Sequence, residues 1–355
     1  IYLSSMTNKG LKLLVRFAVR TLASPGDYQL LLGGKRMEKL FVGVDIGGTN
    51  VASGLIDEEG NLLQRDKRPI LAQVSQDASL RQIVNGIRMV AEKEGISANE
   101  LGGVGIGSPG PLDPFQGVAL SPVNLPTWGT VPLKKIVEEE FSVPVTVDND
   151  ANVVAVGERW KGAGRDVDNF LCATLGTGIG GGAICEGRLL HGFNGNAVEI
   201  GHITVDFNGP RCGCGNYGCL ELYASASAIA RRTSERMERE RPKSLLTEAE
   251  QITSKTVFEA AQRGDKFALE MFEETGFFLG VGLVSAINLL NVEMVALTGG
   301  LANAGDLIFN PVRRTILERG FPGVKEKIRV IPTQLGEDAA LLGAAKIAID
   351  GGVFI

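Results

Sequence analysis

No apolar run in this chain approaches the roughly 18 residues that a membrane-spanning helix needs, so nothing in its pattern anchors it in a bilayer. Cysteine is scarce: five thiols, three of them in one short stretch, with Cys172 and Cys185 in apolar, strand-like contexts that suit buried thiols. That is no disulfide framework, and it fits a reducing cytoplasm. Neither a P-loop nor a G-x-G-x-x-G opening a helix is present, which excludes the P-loop and Rossmann modes of nucleotide binding. Basic charge is also short. The net charge is −5, yet residues 1–36 carry six basic residues (Lys9, Lys12, Arg16, Arg20, Lys35, Arg36) against Asp27 alone; removing that +5 leaves −10 for residues 37–355. A surface that acidic speaks against nucleic acid as the main partner.

Residues 1–36 read unlike the rest: a basic, weakly amphipathic LKLLVRFAVRTL runs into a turn-rich SPGDY and GGKR. The clean apolar run and small-residue cleavage site of a signal peptide are missing, and a transit-type peptide is the alternative. We expect Met37 to be the working start and the arm to be extraneous to the fold.

What is there is a repeated pattern. With 355 residues the chain exceeds one ordinary core, so two domains are expected. FVGVDIG, VASGLID and NLLQRDKR read as three strands joined by Gly47–Asn50 and Glu58–Gly60 turns, followed by helical periodicity over Ser79–Lys93. LGGVGIGSPG is a strand entering a proline-stiffened loop region (Pro109, Pro111, Pro122, Pro126). Leu133–Phe141 reads as a helix, PVTVDND as a strand, and Ala151–Trp160 as a helix. The strand–glycine turn–strand–turn–strand pattern then recurs over Phe170–Leu190. Later come a helix near Glu221, a charged and solvated run RRTSERMERERPK, a long helix Lys266–Leu290, a strand VEMVALTGG, a helix Asp306–Glu318, a strand KIRVIPT and a final helix Ala339–Ile349. Two such halves predict a duplicated α/β fold around a cleft. We expect a small domain of 37–149 plus 338–355 and a large domain of 150–337.

The glycine turns carry the first chemical signal. In DIGGTN, Gly47 and Gly48 bring backbone N–H groups of the Gly47–Thr49–Asn50 turn close enough to cradle phosphate oxygens, and Asp45 at the strand end can orient a hydrated magnesium ion. LGTGIGGG makes the same offer from the other half with Gly176, Thr177 and Gly178, and LTGGL adds a third turn at Gly299 and Gly300 that could accept adenine. One such turn is an ordinary hairpin; two facing turns in a duplicated fold predict a bound nucleotide, with Mg2+ at Asp45. In DNDAN, carboxylates sit where a strand ends and a helix begins, the position of ligand-facing groups in α/β sheets. Asp148 or Asn149 then serves locally, as an N-cap does, and Asp150 is the expected general base. Asn124, Asn149, Asp150, Glu199, His202 and Glu221 make a ring of hydrogen-bonding groups suited to a sugar.

The stretch Glu199–Glu221 sets His202, Cys212, Cys214 and Cys219 at the spacing H-x9-C-x-C-x4-C. An imidazole and three thiolates fill all four positions of a tetrahedral zinc, the pattern of a structural site. The zinc would fix the loop that presents Glu199, Glu221 and one edge of His202 to substrate.

DIGGTN, GSPGPLD, NLPTW, DNDAN, LGTGIGGG, EIGH, CGCGNYGC-LE and LTGGL together resemble, in that order, the ROK family of repressors, uncharacterised frames and sugar kinases, from Met37 to the C-terminus. The resemblance implies an actin-like, hexokinase-type ATPase fold of two domains with sugar and ATP in the cleft, Asp150 as catalytic base, the sugar site named above, and structural Zn2+ on His202 and the three cysteines. By overall look the chain is most similar to the bacterial glucokinases, implying glucose as substrate; N-acetylmannosamine, N-acetylglucosamine, fructose or allose are the alternatives. A sugar-sensing transcriptional regulator is the reading from another class, but residues 1–36 contain no recognition helix and DNDAN is intact. The partners expected are a sugar, ATP and further copies of the chain (a dimer or tetramer), in the cytoplasm, without nucleic acid or membrane.

Overall fold

A computed structural model describes residues 39–352, so the expectation about the basic arm falls outside the described residues. From Leu40 the chain forms one compact unit built on two five-stranded sheets. Strands β1 (Leu40–Ile46), β2 (Asn50–Asp57) and β3 (Leu62–Pro69) make an antiparallel meander. β1 and β2 are near-continuous apolar runs and are buried on both faces; β3 alternates and takes the sheet edge, with Arg65 and Lys67 on its open face. Helix α1 (Gln76–Lys93) begins three residues before its apolar periodicity, because Ser75 caps it by accepting the Ala78 N–H.

The proline-stiffened region is more ordered than its sequence predicts. After β4 (Gly103–Ser108), short strands β5 (Leu112–Asp113), β6 (Val118–Leu120) and β7 (Thr130–Val131) pair into a small antiparallel sheet of their own, and α2 (Leu133–Phe141) returns the chain. β8 (Val145–Asn149) lies parallel to β4, and α3 (Asp150–Lys161) follows it without a break. The sheet order is β3-β2-β1-β4-β8.

The second half repeats this plan. β9 (Phe170–Leu175), β10 (Ile179–Cys185) and β11 (Arg188–Leu189) form the meander. Helices α4 (Glu221–Ala224), α5 (Ala226–Glu240), α6 (Ser254–Gln262) and α7 (Lys266–Leu290) then precede β12 (Met294–Thr298), α8 (Asp306–Arg319), β13 (Arg329–Pro332) and α9 (Asp338–Ile349). Its order, β11-β10-β9-β12-β13, reproduces the first sheet strand for strand. The charged run expected as a solvated stretch is instead mostly helix: Ser225 caps α5, Arg231–Glu235 and Arg236–Glu240 pair one turn apart, and Arg232 and Arg236 reach Glu274 on α7. Helix α6 was not foreseen in the sequence.

α9 packs across β1, β4 and α3, where glycine is a steric requirement: a Cβ at Gly43 or Gly105 would strike the backbone carbonyls of Leu341 or Ala344, and one at Gly343 that of Val153. Beside this contact the fully buried Glu158 of α3 accepts N–H groups from Ala163, Gln334 and Leu335, tying α3 to the segment that enters α9.

Candidate active site

The parallel strands of the first sheet all end at one edge, and that edge carries the acids. Asp45 in β1 pairs with Gly107 in β4, which pairs in turn with Asp148 in β8. Asn149 leaves β8 in extended conformation and its side chain accepts from the Ala151 and Asn152 N–H groups, so the residue expected as either cap or sugar ligand is the N-cap of α3. Its amide nitrogen stays beside Gly110, where a Cβ would lie 3.5 Å away. The next residue, Asp150, is half-buried in the first turn of α3 and accepts the Ala151 N–H.

The electrostatics of this edge are unusual. Burial, then the charge of Asp45, then that of Glu199 push the Asp150 carboxyl up to about 7, despite hydrogen bonds from Ala151 and Asn149 that oppose the shift. Asp45 is itself raised to about 6, chiefly by burial, with Lys67 and Arg65 opposing and Glu337 adding to the rise. Glu199 is raised too, by burial first, with His202 lowering and Glu221 raising it, although its side chain keeps an exposed face. Asp45, Asp150 and Glu199 thus converge from β1, α3 and the loop after β11. Carboxyls shifted together by burial and by one another mark this edge as the candidate site.

The first glycine turn follows directly on Asp45, and Gly180 after the second lies against Ala151, next to Asp150. Gly47 closes its turn by donating to Asn50 O at 2.9 Å, and a Cβ on Gly48 would lie 3.5 Å from Asn124, which brings the first turn against the exposed Asn124. Gly176 donates to Gly178 O at 3.0 Å, Gly176 O accepts from Ala226 N, and the Thr177 carbonyl accepts the Ser227 hydroxyl. The start of α5 therefore holds the second turn, a contact that no motif announced. Gly299, at φ 91°, sits on the end of β9 with Leu301 N donating to Leu175 O, so the third turn lies next to the second. Glu221 lies between the second turn and the cysteine knot: its Oε2 is 2.6 Å from where a Gly178 Cβ would stand, and its Oε1 accepts from Cys212 Sγ at 3.2 Å.

The knot folds as its spacing predicts. Its four donor atoms, from His202, Cys212, Cys214 and Cys219, all lie within 4.8 Å of one another. Cys214 Sγ is 3.7 Å from Cys219 Sγ, and Cys212 Sγ is 3.8 Å from His202 Nδ1. A tetrahedron with bonds of about 2.3 Å has edges of about 3.8 Å, so this donor set has the dimensions and chemistry of a zinc site. An inverse γ-turn at Glu199, with Ile200 N on Val198 O at 2.7 Å, leads into the short turn that ends at His202.

Sequence reasoning missed His191. Its Nε2 lies 2.6 Å from Asp148 Oδ2, while Asp148 Oδ1 accepts from Asn149 N and Asn152 Nδ2. The available signal was scarcity: the chain has two histidines, and the metal set takes the other.

Two sheets of matching strand order, each with a glycine turn at the end of its meander hairpin, define a duplicated α/β protein of the actin-like, hexokinase type. The comparisons give the family. The ROK family model matches residues 41–351, and the chain belongs to the ROK family. It is 38% identical to a glucokinase of Thermotoga maritima, over 88% of this chain and 98% of that one. A ROK family glucokinase from Streptomyces griseus, solved in complex with glucose and AMPPNP, superposes with a TM-score of 0.74 at 35% identity, covering 88% of this chain and 99% of the other. A xylose repressor of Bacillus spizizenii is 30% identical over 92% of this chain and 82% of its own length. Among the described residues no helix is long and apolar enough to cross a membrane.

Proposed function

We propose that this chain phosphorylates glucose with ATP, using Asp150 as general base. The coarser assignment, an ATP-dependent sugar kinase of hexokinase type, is supported by the glucokinase relatives and the fold. One observation carries the finer reading of the chemistry: Asp150 stands at the acid-lined edge of the first sheet with its carboxyl raised to about 7, near the pH at which a general base is most effective. Phosphoryl transfer needs positioning, charge neutralisation and one acceptor for the attacking hydroxyl's proton. In our reading Asn124, Asn149, Glu199, His202 and Glu221 hold the sugar so that one hydroxyl faces Asp150, which takes its proton as the new bond to phosphorus forms. The backbone of Gly47–Asn50 and Gly176–Gly178 receives the phosphates, and Gly299–Gly300 the adenine. Asp45 would hold a hydrated Mg2+, which supplies charge neutralisation at the phosphates. Zn2+ on His202, Cys212, Cys214 and Cys219 would set the loop from Glu199 to Glu221 and take no part in the transfer.

Residues 37–149 with 338–355 form the small domain, 150–337 the large one, and sugar draws them together over the acids. Equal compactness in solution scattering with and without glucose would count against that closure. The protein works in the cytoplasm as a homo-oligomer, which light scattering after gel filtration would test.

The deciding experiment is a coupled assay of purified protein with ATP and a panel of sugars: glucose, N-acetylmannosamine, N-acetylglucosamine, fructose and allose. Glucose should show the highest kcat/KM; another hexose ahead of it would replace the substrate and keep the reaction. The repressor relative motivates the second reading, a sugar-sensing regulator, and sugar binding without any turnover would favour it.

A further inference from the structure

The elbow from Asp148 to Asn152 aims the proposed base; its backbone enters from β8, paired with β4, and its side chains bond almost wholly within the elbow. Asp148 Oδ1 accepts from Asn149 N at 2.7 Å and from Asn152 Nδ2 at 2.8 Å; Asn149 caps Ala151 and Asn152; Asp150 accepts from Ala151 N. Among the described residues one side chain reaches Asp148 from outside the elbow. That is His191, 43 positions along the chain, with Nε2 2.6 Å from Oδ2. Asp148 is 4% exposed, so its carboxylate has little water to replace that partner.

His191 sits at a junction. It follows β11, in the second sheet, while Asp148 is the penultimate residue of β8 in the first. Its carbonyl accepts Ala197 N at 3.2 Å, which closes the loop 191–197, and the chain then passes through Val198 to Glu199. Its ring packs on Phe115 at 5.9 Å between centroids, and Gly195 lies so close to Pro114 that a side chain there would collide. The loop that begins the Glu199 segment is thus docked on the β5–β6 turn and bonded to the elbow. The hydrogen bond to the Asp148 carboxylate also lifts the His191 pKa, which favours the charge-assisted form of the pair.

We propose that His191 is a positioning residue for phosphoryl transfer: through Asp148 it holds the strand-to-helix elbow, and with it Asp150, in register with the segment that bears Glu199. The proposal rests on the kinase reading of the site. His191 touches no reacting atom in it. Its effect is on how often Asp150 and the sugar hydroxyl align, which enters kcat, while the glycine turns that receive ATP are untouched.

The test measures kcat, the KM of each substrate and the melting temperature for three variants of the whole chain. His191→Ala removes the donor, and kcat should fall about ten- to a hundredfold with KM for ATP unchanged. His191→Gln can still donate a side-chain N–H to Asp148 Oδ2 and should recover most of kcat; His191→Asn, too short to reach, should not. Asp148→Asn combined with His191→Ala should lose little more than the larger single loss, as residues acting through one contact do. The Gln–Asn contrast holds even where His191→Ala fails to fold. Equal kcat in the Gln and Asn variants, or a loss seen in the melting temperature alone, overturns the proposal. A wild-type protein that phosphorylates no hexose overturns the kinase reading and this proposal with it.

Discussion

At the ends of their central strands the two sheets differ in the residues that matter. In the first, the neighbouring positions are Asp45, Gly107 and Asp148, with Asp150 one step into the helix. In the second, the matching positions are Thr174 and Thr298, and Thr333 follows directly after the last pair, Leu297–Pro332. Order, direction and hairpin geometry repeat; charge does not. The acidic end suits a proton acceptor and a cation, because burial first, and then the charges of Asp45 and Glu199, raise the Asp150 carboxyl to about 7. The hydroxyl-and-glycine end suits a polyanion, which clustered acids would repel. Duplication supplied two equivalent edges, and side chains at three or four positions divided the labour between them.

The comparison breaks hardest at Asp150. Asp150→Asn keeps the shape of the acidic edge and removes the base, so turnover should fall on the order of 10²–10⁴-fold, with sugar affinity by calorimetry much less affected. Retention of more than about a tenth of the wild-type rate would move the base elsewhere. The same variant has a stability signature. A carboxyl whose folded pKa is about 7, above its unfolded value, favours folding at low pH and opposes it increasingly as pH rises towards 7. Asp150→Asn should therefore melt higher than wild type at pH 8 and gain little at pH 4; an equal gain at both would contradict the raised pKa.

Next in size is the His–Cys cluster on the second half. Removing zinc with a chelator, or changing Cys214→Ser, should raise KM for the sugar by about tenfold or more and lower the melting temperature, because Glu199, His202 and Glu221 lose their fixed loop. Metal analysis should find one zinc per chain, and active untreated protein without zinc would end that idea.

Thr174→Asp would copy the acid of β1 into β9. Placed beside the second turn, it should raise KM for ATP by about tenfold and leave sugar binding nearly unchanged. An unchanged KM would mean that the second edge does not face the nucleotide.

The acidic limb of kcat/KM should fall as pH drops through about 7, where Asp150 gains its proton, and Asp45→Asn should shift the limb to lower pH by removing a neighbouring charge. A limb unmoved by that change would separate the two carboxyls. The smallest expected effect lies just before Glu199, where the β-branched Val198 holds φ 66°, a left-handed conformation that costs such a residue about 1–2 kcal/mol. Val198→Gly relieves that strain and loses backbone entropy in folding, so stability should rise by less than about 1 kcal/mol, read as a slightly higher denaturant midpoint.

Local order decided much of this protein before any contact formed. The burial of β1 and β2 follows from near-continuous apolar runs, α2 and α7 span the residues that their periodicity marks, and the His–Cys cluster needs only four donors within eighteen residues and glycines between them. Those are short-range signals, and short-range physics suffices to read them. The helical state of Arg231–Glu240 was not among them, because its stability draws on Glu274 of a distant helix. Nor was the role of His191: a lone histidine in a loop carries no spacing, and its partner is 43 residues away. The raised pKa of Asp150 belongs to the same class, since it arises from burial first and then from the charges of Asp45 and Glu199, which come from other parts of the chain. Charge interactions depend on distance in space, and only the folded chain sets those distances.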